Sequence, residues 1–429
     1  MNSNKRQYVT SMIIIGVLFF LFGFITWLNG ILIPYLKIAC ELNNLQSLMV
    51  AFSFYIAYFV MAIPSGWVLK KTGFKKGMML GLWVMAVGAL IFIPAALIRS
   101  FPVFLIGLFI LGTGLTVLQT SSNPYVTIIG PVESAASRIS IMGICNKVAG
   151  ALAPIILAYF ILSDGDSFVQ SLSAMSAEEK NIALDSLAYR AIAPYTVIAI
   201  SLFLLGIMMR YSPLPEIEQE DNNEEESTSD NESEKSIFHL PHLWMGVLAL
   251  FFYVGVEVIA GDTIIRYGIL LNIDIAQAKV FTSYTLIAMV IGYIFIGLVL
   301  IPKIISQRIA LVLSAILGIA FTIIAIFTTG TTSVFFIAML GFANAIVWPA
   351  IWPLAIHNTG KHIKTASSLL IMAIAGGATL PLVWGALADY FVHQPQNAYW
   401  ICIPCYLMIL YFGLWGYKLK YRKSISYTK

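Results

Sequence analysis

Two ionisable residues of opposite charge lie deep within apolar stretches of the sequence. Lys147 occurs in GICNKVAG, and Glu257 occurs in FFYVGVEVIAG. A charge at the centre of a membrane costs about 2.5–3.5 kcal/mol on insertion scales, so each residue needs a compensating role. The lysine could bind a polar solute or replace a bound cation, and the glutamate could hold a proton or stay ionised beside a cation. The structural alternatives are an ion pair for Lys147 and a hydrogen-bonding post for Glu257.

Two other pairs of reactive residues have simpler interpretations. Asp262 and Arg266 are four residues apart in one apolar stretch, which favours an ordinary ion pair on one helix face. Cys402 and Cys405 form a C-x-x-C, but no histidine or second cysteine pair lies nearby, so we expect small packing residues and no metal site. The sequence contains no Ser/His/Asp set and no phosphate-binding Gly-rich loop. We therefore expect neither an enzyme nor a cofactor.

Amide and aromatic side chains recur in the same apolar stretches. An amide can donate to one hydroxyl and accept from its neighbour, while an indole face packs on the C–H surface of a sugar ring. The candidate residues for binding such a solute are Trp27, Asn29, Gln119, Asn123, Asn146, Tyr253, Asn344, Trp348 and Trp352. Polar side chains also join membrane helices to one another, so a purely structural role remains the alternative for each residue.

The elements that must position these residues are membrane helices. Of the 429 residues, 59% are hydrophobic and 11% are charged, whereas soluble proteins carry about 25% charged residues. A span needs roughly 20 mostly apolar residues. Such stretches lie near 9–35, 45–69, 77–98, 102–128, 139–162, 191–211, 242–268, 278–302, 309–328, 333–357, 365–390 and 396–417. The composition predicts an all-α integral membrane protein with twelve spans.

A polar segment divides the twelve spans into six and six. Residues 212–241 contain Pro213, Pro215 and ten acidic residues and cannot bury themselves, so they predict a solvated acidic linker. The predicted units are an N-terminal six-helix bundle over 1–211 and a C-terminal bundle with a short basic tail over 242–429.

Lysine and arginine positions predict the orientation of the spans. With both termini in the cytoplasm, 18 of the 25 Lys and Arg residues fall in cytoplasmic segments, as the positive-inside rule requires. Their short clusters do not resemble a nucleic-acid-binding face. The expected partners are a small solute and the lipid bilayer, without nucleic acid.

Several long blocks in order give the sequence a specific resemblance. They are LNGILIPYL, FSFYIAYFVMAIPSGWVLKKTGFKKG, LQTSSNPYV, NKVAGALAP, FYVGVEV and WPAIWPLAIHNTGKHIKTASSLLIMAIAGGATLPLVWGALAD. The chain resembles the fucose–galactose–glucose:proton symporter family of the major facilitator superfamily. That resemblance implies a major facilitator fold with two pseudo-symmetric bundles. It also implies a monomer in the bacterial inner membrane that imports a hexose or deoxyhexose such as glucose, galactose, fucose or N-acetylglucosamine.

The ionisable residues differ from the fucose permease pattern of that family. The family has a carboxylate where this chain has Gly30, and a glutamate where it has Gln119. In their place this chain has Lys147 and Glu257, a pattern that resembles the glucose/galactose branch. Three hypotheses follow: Glu257 binds the coupling proton, Glu257 helps bind a coupling Na⁺, or Lys147 replaces the coupling ion in an uncoupled facilitator. Drug or lipid efflux is the alternative of a different class.

Overall fold

The computed structural model describes residues 3–129, 135–214, 240–301, 304–357, 359 and 363–419. Within these residues, twelve helices are long and apolar enough to cross a membrane. We number them helices 1 to 12: Gln7–Ala39, Asn44–Leu69, Lys71–Leu97, Phe101–Asn123, Ile141–Ile161, Ala177–Tyr211, Pro241–Asp262, Ile275–Leu300, Gln307–Phe327, Gly330–Ile356, Ser368–Tyr390 and Pro395–Leu414. The predicted all-α fold with twelve spans is confirmed.

Helices 1–6 and helices 7–12 form two halves that meet along two equivalent seams. Helix 2 packs on helix 11, and helix 5 packs on helix 8. Exchanging the halves moves helix 2 onto helix 8 and helix 11 onto helix 5, so one seam maps onto the other. This arrangement is a pseudo-twofold axis between the bundles. Most of the predicted 212–241 linker, residues 215–239, lies outside the described residues.

Several spans contain short interruptions of the regular α-helix. Lipid-exposed backbone must keep its hydrogen bonds, so breaks of this kind are tolerated where the backbone is buried in protein or lines a cavity. Helix 1 changes direction at Leu28, and helix 7 ends at Asp262 before the short segment Ile264–Leu270. Helix 8 continues as a π-helix over Tyr293–Leu300, and helix 11 contains the 3₁₀ turn Ala373–Ala375. The breaks in helices 1 and 7 face the contact between the halves.

The turn between helices 2 and 3 lies on the face of the bundle where helix 6 ends and helix 7 begins. Gly73, near the start of helix 3, has φ +73°, a left-handed conformation that suits glycine and kinks the helix there. Nearby, Lys75 donates a hydrogen bond of 2.6 Å to the Ser212 carbonyl just after helix 6. We call this face, where helix 6 ends and helix 7 begins, the linker side, and the opposite face the far side.

The two halves are in contact on the far side. The Asp166 carboxylate, in the loop helix Gly165–Leu172, accepts hydrogen bonds from the backbone N–H groups of Ile275 and Ala276 at 2.8 and 2.7 Å. Deeper in the bundle, the Ser283 hydroxyl donates to the Ala151 carbonyl at 2.6 Å. Because each bond joins one half to the other, the structure has a closed far side.

Candidate functional site

An ion pair joins the two halves in the interior of the bundle. Lys147 on helix 5 and Glu257 on helix 7 approach to 2.7 Å between Nζ and Oε1. Each side chain is 10% exposed, so the pair is almost completely shielded from solvent. The Lys147 ammonium also lies 4.5 Å from the centre of the Trp27 ring, where a cation–π attraction adds to its stabilisation. The two costly charges predicted from the sequence therefore compensate each other.

The ion pair lies in the wall of a polar chamber between the halves. The chamber has an empty volume of about 850 Å³, which includes space continuous with solvent. Eight of the predicted residues contribute to its wall: Trp27, Gln119, Asn123, Asn146, Lys147, Tyr253, Glu257 and Trp348. The chamber wall therefore takes polar residues from both halves.

Amide groups occupy the wall contributed by the N-terminal half. Gln119 on helix 4 donates to the Tyr58 hydroxyl at 2.8 Å, which fixes the orientation of its side chain. Asn146 on helix 5 makes only a long hydrogen bond, 3.4 Å, to the Phe19 carbonyl. Weakly engaged amides beside a fixed one can exchange their protein contacts for hydroxyl groups of a bound solute.

Aromatic rings form the opposite wall. Trp348 on helix 10 lies 6.5 Å from Tyr253 on helix 7, measured between ring centres. Trp352, one helical turn further along, stacks on Trp348 with centres 5.5 Å apart and an interplanar angle of 24°. The stacking restricts the Trp348 indole, so this wall is a rigid apolar surface suited to the C–H face of a ring-shaped solute.

Trp27 marks the limit of the chamber toward the far side. Its indole is packed between Gly150 of its own half and Gly261 of the other, and a β-carbon at either glycine would collide with the ring. The indole Nε1 is buried without a hydrogen-bond partner. Trp27 therefore fills the space between the halves in the closed far-side arrangement and also lines the chamber.

Three of the predicted binding residues lie away from the chamber wall. Asn29 is buried after the break in helix 1, and its amide bonds to the Thr26 carbonyl at 3.3 Å. Asn344 is fully buried and accepts a hydrogen bond of 2.9 Å from Tyr406, so it joins helices 10 and 12. Trp352 contacts the chamber only through Trp348. These positions correct the placement expected from residue type alone, because a buried amide can equally well join two helices.

Four polar residues of the wall were not identified from the sequence. They are Thr26, Tyr55, Tyr58 and Tyr293. Tyr55 and Tyr58 are three residues apart on helix 2, and this spacing places two hydroxyl-bearing rings on one helix face. That spacing is a usable sequence signal. Tyr293 begins the π-helical segment of helix 8, and such segments occur frequently at functional sites, but the sequence does not reveal them.

The expected ion pair between Asp262 and Arg266 is wrong. Helix 7 ends at Asp262, so the four-residue spacing no longer brings the two side chains to one helix face. Arg266 instead pairs with Asp389 on helix 11 at 3.0 Å and lies 5.3 Å from the centre of the Trp384 ring. Asp262 is fully buried, and neither of its carboxyl oxygens has a hydrogen-bond partner.

Cys402 and Cys405 are unpaired thiols. Both are buried in helix 12, and the Cys405 thiol donates to the Ile401 carbonyl at 3.1 Å. This geometry agrees with their interpretation as packing residues.

Two six-helix halves around a central polar chamber define a polytopic transporter in which the halves alternate their openings. The chain belongs to the Major Facilitator Superfamily, whose family model matches residues 15–380. The prediction of a transporter rather than an enzyme is confirmed by this membership.

Individual members of this superfamily resemble the chain over nearly its whole length. The Glucose/galactose transporter of Brucella abortus biovar 1 is 34% identical over 420 residues, which cover 97% of this chain and 96% of the relative. The L-fucose-proton symporter of Escherichia coli is 30% identical over 412 residues, covering 95% and 93%. A crystal structure of the transporter FucP in the outward conformation matches with a TM-score of 0.74 and 29% identity over 95% of this chain and 98% of that one. The family resemblance inferred from the sequence blocks is confirmed.

Proposed function

We propose that the protein is a secondary active transporter that imports a hexose or deoxyhexose together with protons. The observation that carries this proposal is the Lys147–Glu257 ion pair, which joins the two halves in the wall of a chamber lined by amides and aromatic rings. The relatives named for glucose/galactose and for fucose–proton transport support the same solute class.

The chamber chemistry suits a neutral, hydroxyl-rich ring. Asn123, Asn146 and Gln119 offer amides on one side, and Trp348 offers a flat apolar face on the other. A lipid or apolar drug would leave the amides without partners, which costs about 1–3 kcal/mol for each buried group. The wall does not distinguish among glucose, galactose, fucose and N-acetylglucosamine, which differ at single substituents.

Proton coupling follows from making and breaking the ion pair. When the far side opens, the halves separate, Glu257 loses Lys147 and accepts a proton from the far-side solution. Solute binding and closure of the far side then bring Lys147 back to 2.7 Å, the distance seen here. The returning ammonium displaces the proton from the Glu257 carboxyl group into water on the linker side. One proton therefore accompanies each solute molecule.

The Lys and Arg distribution supports a linker side that faces the cytoplasm. Far-side opening then faces the periplasm, and the cycle runs in the direction of import. Bacterial relatives support a location in the inner membrane. We take one chain as the functional unit, because both halves of the chamber come from the same chain.

The test is uptake of radiolabelled hexose into vesicles by the wild-type protein and the Glu257→Gln variant. The variant should lose accumulation against a gradient but keep counterflow exchange, since a neutral glutamine still permits both conformations. Glu178→Gln is the matched control, because Glu178 is exposed on the far side and lies outside the chamber. Continued accumulation by Glu257→Gln would refute the role of Glu257.

The coupling ion is distinguished in the same vesicles. A protonophore should abolish wild-type accumulation, whereas replacement of Na⁺ by K⁺ at fixed membrane potential should leave it unchanged. Loss of accumulation on removing Na⁺ would favour Na⁺ coupling, and the absence of accumulation under any gradient would favour an uncoupled facilitator. Competition by unlabelled glucose, galactose, fucose and N-acetylglucosamine identifies the preferred sugar.

A further inference from the structure

Asp262 is a carboxyl group without any compensation in its surroundings. It lies at the end of helix 7, its exposed fraction is 0%, and both carboxyl oxygens are buried without a hydrogen-bond partner. Among the described residues, it is the one carboxyl group in this condition. The ion-pair mechanism proposed above does not use it.

The charged and titratable groups around Asp262 are already engaged or face elsewhere. Lys147 and Glu257 neutralise each other at 2.7 Å, and Arg266 is paired with Asp389. Lys37 on helix 1 donates to Asn44 at 2.6 Å. The Tyr55 phenol on helix 2 interacts with the carboxyl group but does not complete a hydrogen bond of normal geometry.

Neutral donors on helix 8 are engaged as well. Thr282 donates to the Gly261 carbonyl at 2.6 Å, and Thr285 donates to the Ala260 carbonyl at 2.9 Å. None of these groups donates a hydrogen bond to Asp262 in this arrangement.

An ionised carboxylate that is buried without a hydrogen-bond partner is energetically very unfavourable. Burying an isolated charge costs far more than burying a neutral carboxylic acid, so the group binds a proton instead. Asp262 is therefore a neutral acid while the far side is closed. Glu257, five residues earlier on the same helix, is ionised in the same arrangement because Lys147 compensates it. The two carboxyl groups thus hold protons in different conformations.

The position of Asp262 connects its proton to the opening of the far side. The preceding residue, Gly261, packs on the Trp27 indole of the other half, and Tyr55 also belongs to that half. Separation of the halves on the far side removes both contacts. Water then reaches the end of helix 7 from the far-side solution, and a hydrated carboxyl group can ionise.

We propose that Asp262 is a proton-binding site that must be filled before the far side of the transporter can close. The site takes its proton from the far-side solution and keeps it through closure. It returns the proton to the same solution when the far side opens again. Asp262 therefore sets the response to far-side pH without adding a transported proton. The inference rests on the proposed function only through the opening and closing of the far side.

The test measures the opening of the far side against pH in the full-length protein. Spin labels are placed on exposed far-side positions of the two halves through Glu178→Cys and Gln277→Cys, with Cys40→Ser and Cys145→Ser removing the partly exposed native thiols. The distance distribution between the labels is recorded in lipid nanodiscs from about pH 5 to about pH 9. The fraction of long distances reports the open far side.

The Glu257→Gln variant should open as the pH rises, because Glu257, which takes up a proton on opening, no longer offsets the proton that Asp262 releases. A single proton bound only in the closed state changes the ratio of open to closed molecules by up to about tenfold for each pH unit. Adding Asp262→Asn, which resembles the protonated acid, should hold the far side closed across the range and remove this dependence. If that variant fails to assemble, Asp262→Thr keeps a small uncharged side chain at the position.

Two controls separate Asp262 from the other acidic groups. Asp166→Asn removes a carboxylate that accepts hydrogen bonds in the closed state, and an ionised acceptor is the stronger one. Removing this acceptor should favour the open far side at every pH without changing the pH dependence. Glu257→Gln, which loses accumulation but keeps Asp262, should show a steeper pH dependence of opening than the wild-type protein, which distinguishes failure of this inference from failure of the proposed function. Unchanged pH dependence after Asp262→Asn is added to Glu257→Gln, or none in Glu257→Gln itself, would overturn the inference.

Discussion

Removal of either partner of the Lys147–Glu257 pair should cost much more stability than removal of both. The charges lie 2.7 Å apart with each side chain 10% exposed. At an effective dielectric constant of about 20, two unit charges at that distance attract by about 6 kcal/mol, which is of the order of their desolvation cost. The intact pair therefore contributes little net stability, but a single buried charge left behind costs about 3–5 kcal/mol.

The assay is a double-mutant cycle on unfolding in detergent micelles. Lys147→Met and Glu257→Gln should each lower the free energy of unfolding by about 3 kcal/mol or more. The double variant should recover most of that loss, which gives a coupling energy of about 5 kcal/mol. It should also fold without accumulating solute, since the coupling group is absent.

An exposed ion pair supplies the matched control cycle. Lys180 and Glu41 lie 2.6 Å apart, but their side chains are 40% and 49% exposed. Solvent screening reduces the coupling of such a pair to less than about 1 kcal/mol. If the losses from Lys147→Met and Glu257→Gln simply add in the double variant, the two residues are not paired in the resting protein, and the reasoning fails.

Two further predictions concern the chamber and the far side. Tyr58→Phe removes the group that accepts from Gln119, so the apparent affinity for sugar should fall by about tenfold while counterflow persists; unchanged affinity would exclude a role for Gln119 orientation. On the far side, Arg190 donates to Asp164 at 2.9 Å and holds the pKa of that carboxyl group below its ordinary value. A lowered pKa means that the pair stabilises the fold above the ordinary aspartate pKa and loses its effect as the pH falls through the lowered value. The Asp164→Asn variant should therefore have a free energy of unfolding that is lower by less than about 1 kcal/mol at neutral pH, and the difference should vanish in acid. Thermal unfolding at the two pH values measures this difference. An equal loss at neutral and acid pH would contradict the prediction.

Hydropathy was sufficient to predict the twelve spans. A lipid bilayer can be crossed by long apolar helices and by few other structures. The energetic cost of buried charge was equally informative. Lys147 and Glu257 were identified from their positions alone, and the structure brings them together. Both features follow from burial in lipid, and the apolar composition of the sequence indicates that burial directly.

Contacts that depend on helix geometry were not predictable in the same way. The end of helix 7 at Asp262 turns Arg266 toward Asp389, and no sequence signal marks that end. Asn344 contacts Tyr406 rather than the chamber because helix 10 rotates by an amount that hydropathy does not determine. Side-chain type indicates which residues need a partner, whereas rotation and breaks of the helices decide which partner each residue meets.

The Trp27 indole held between Gly150 and Gly261 has a consequence for turnover. A larger residue at Gly261 would leave its own helix intact, yet it would collide with the ring of the other half and prevent the halves from meeting. Such a variant would insert, fold and bind solute from the far side, but its far side would not close completely. Turnover therefore depends on the absence of a side chain at Gly261, and its replacement would convert a carrier into a receptor.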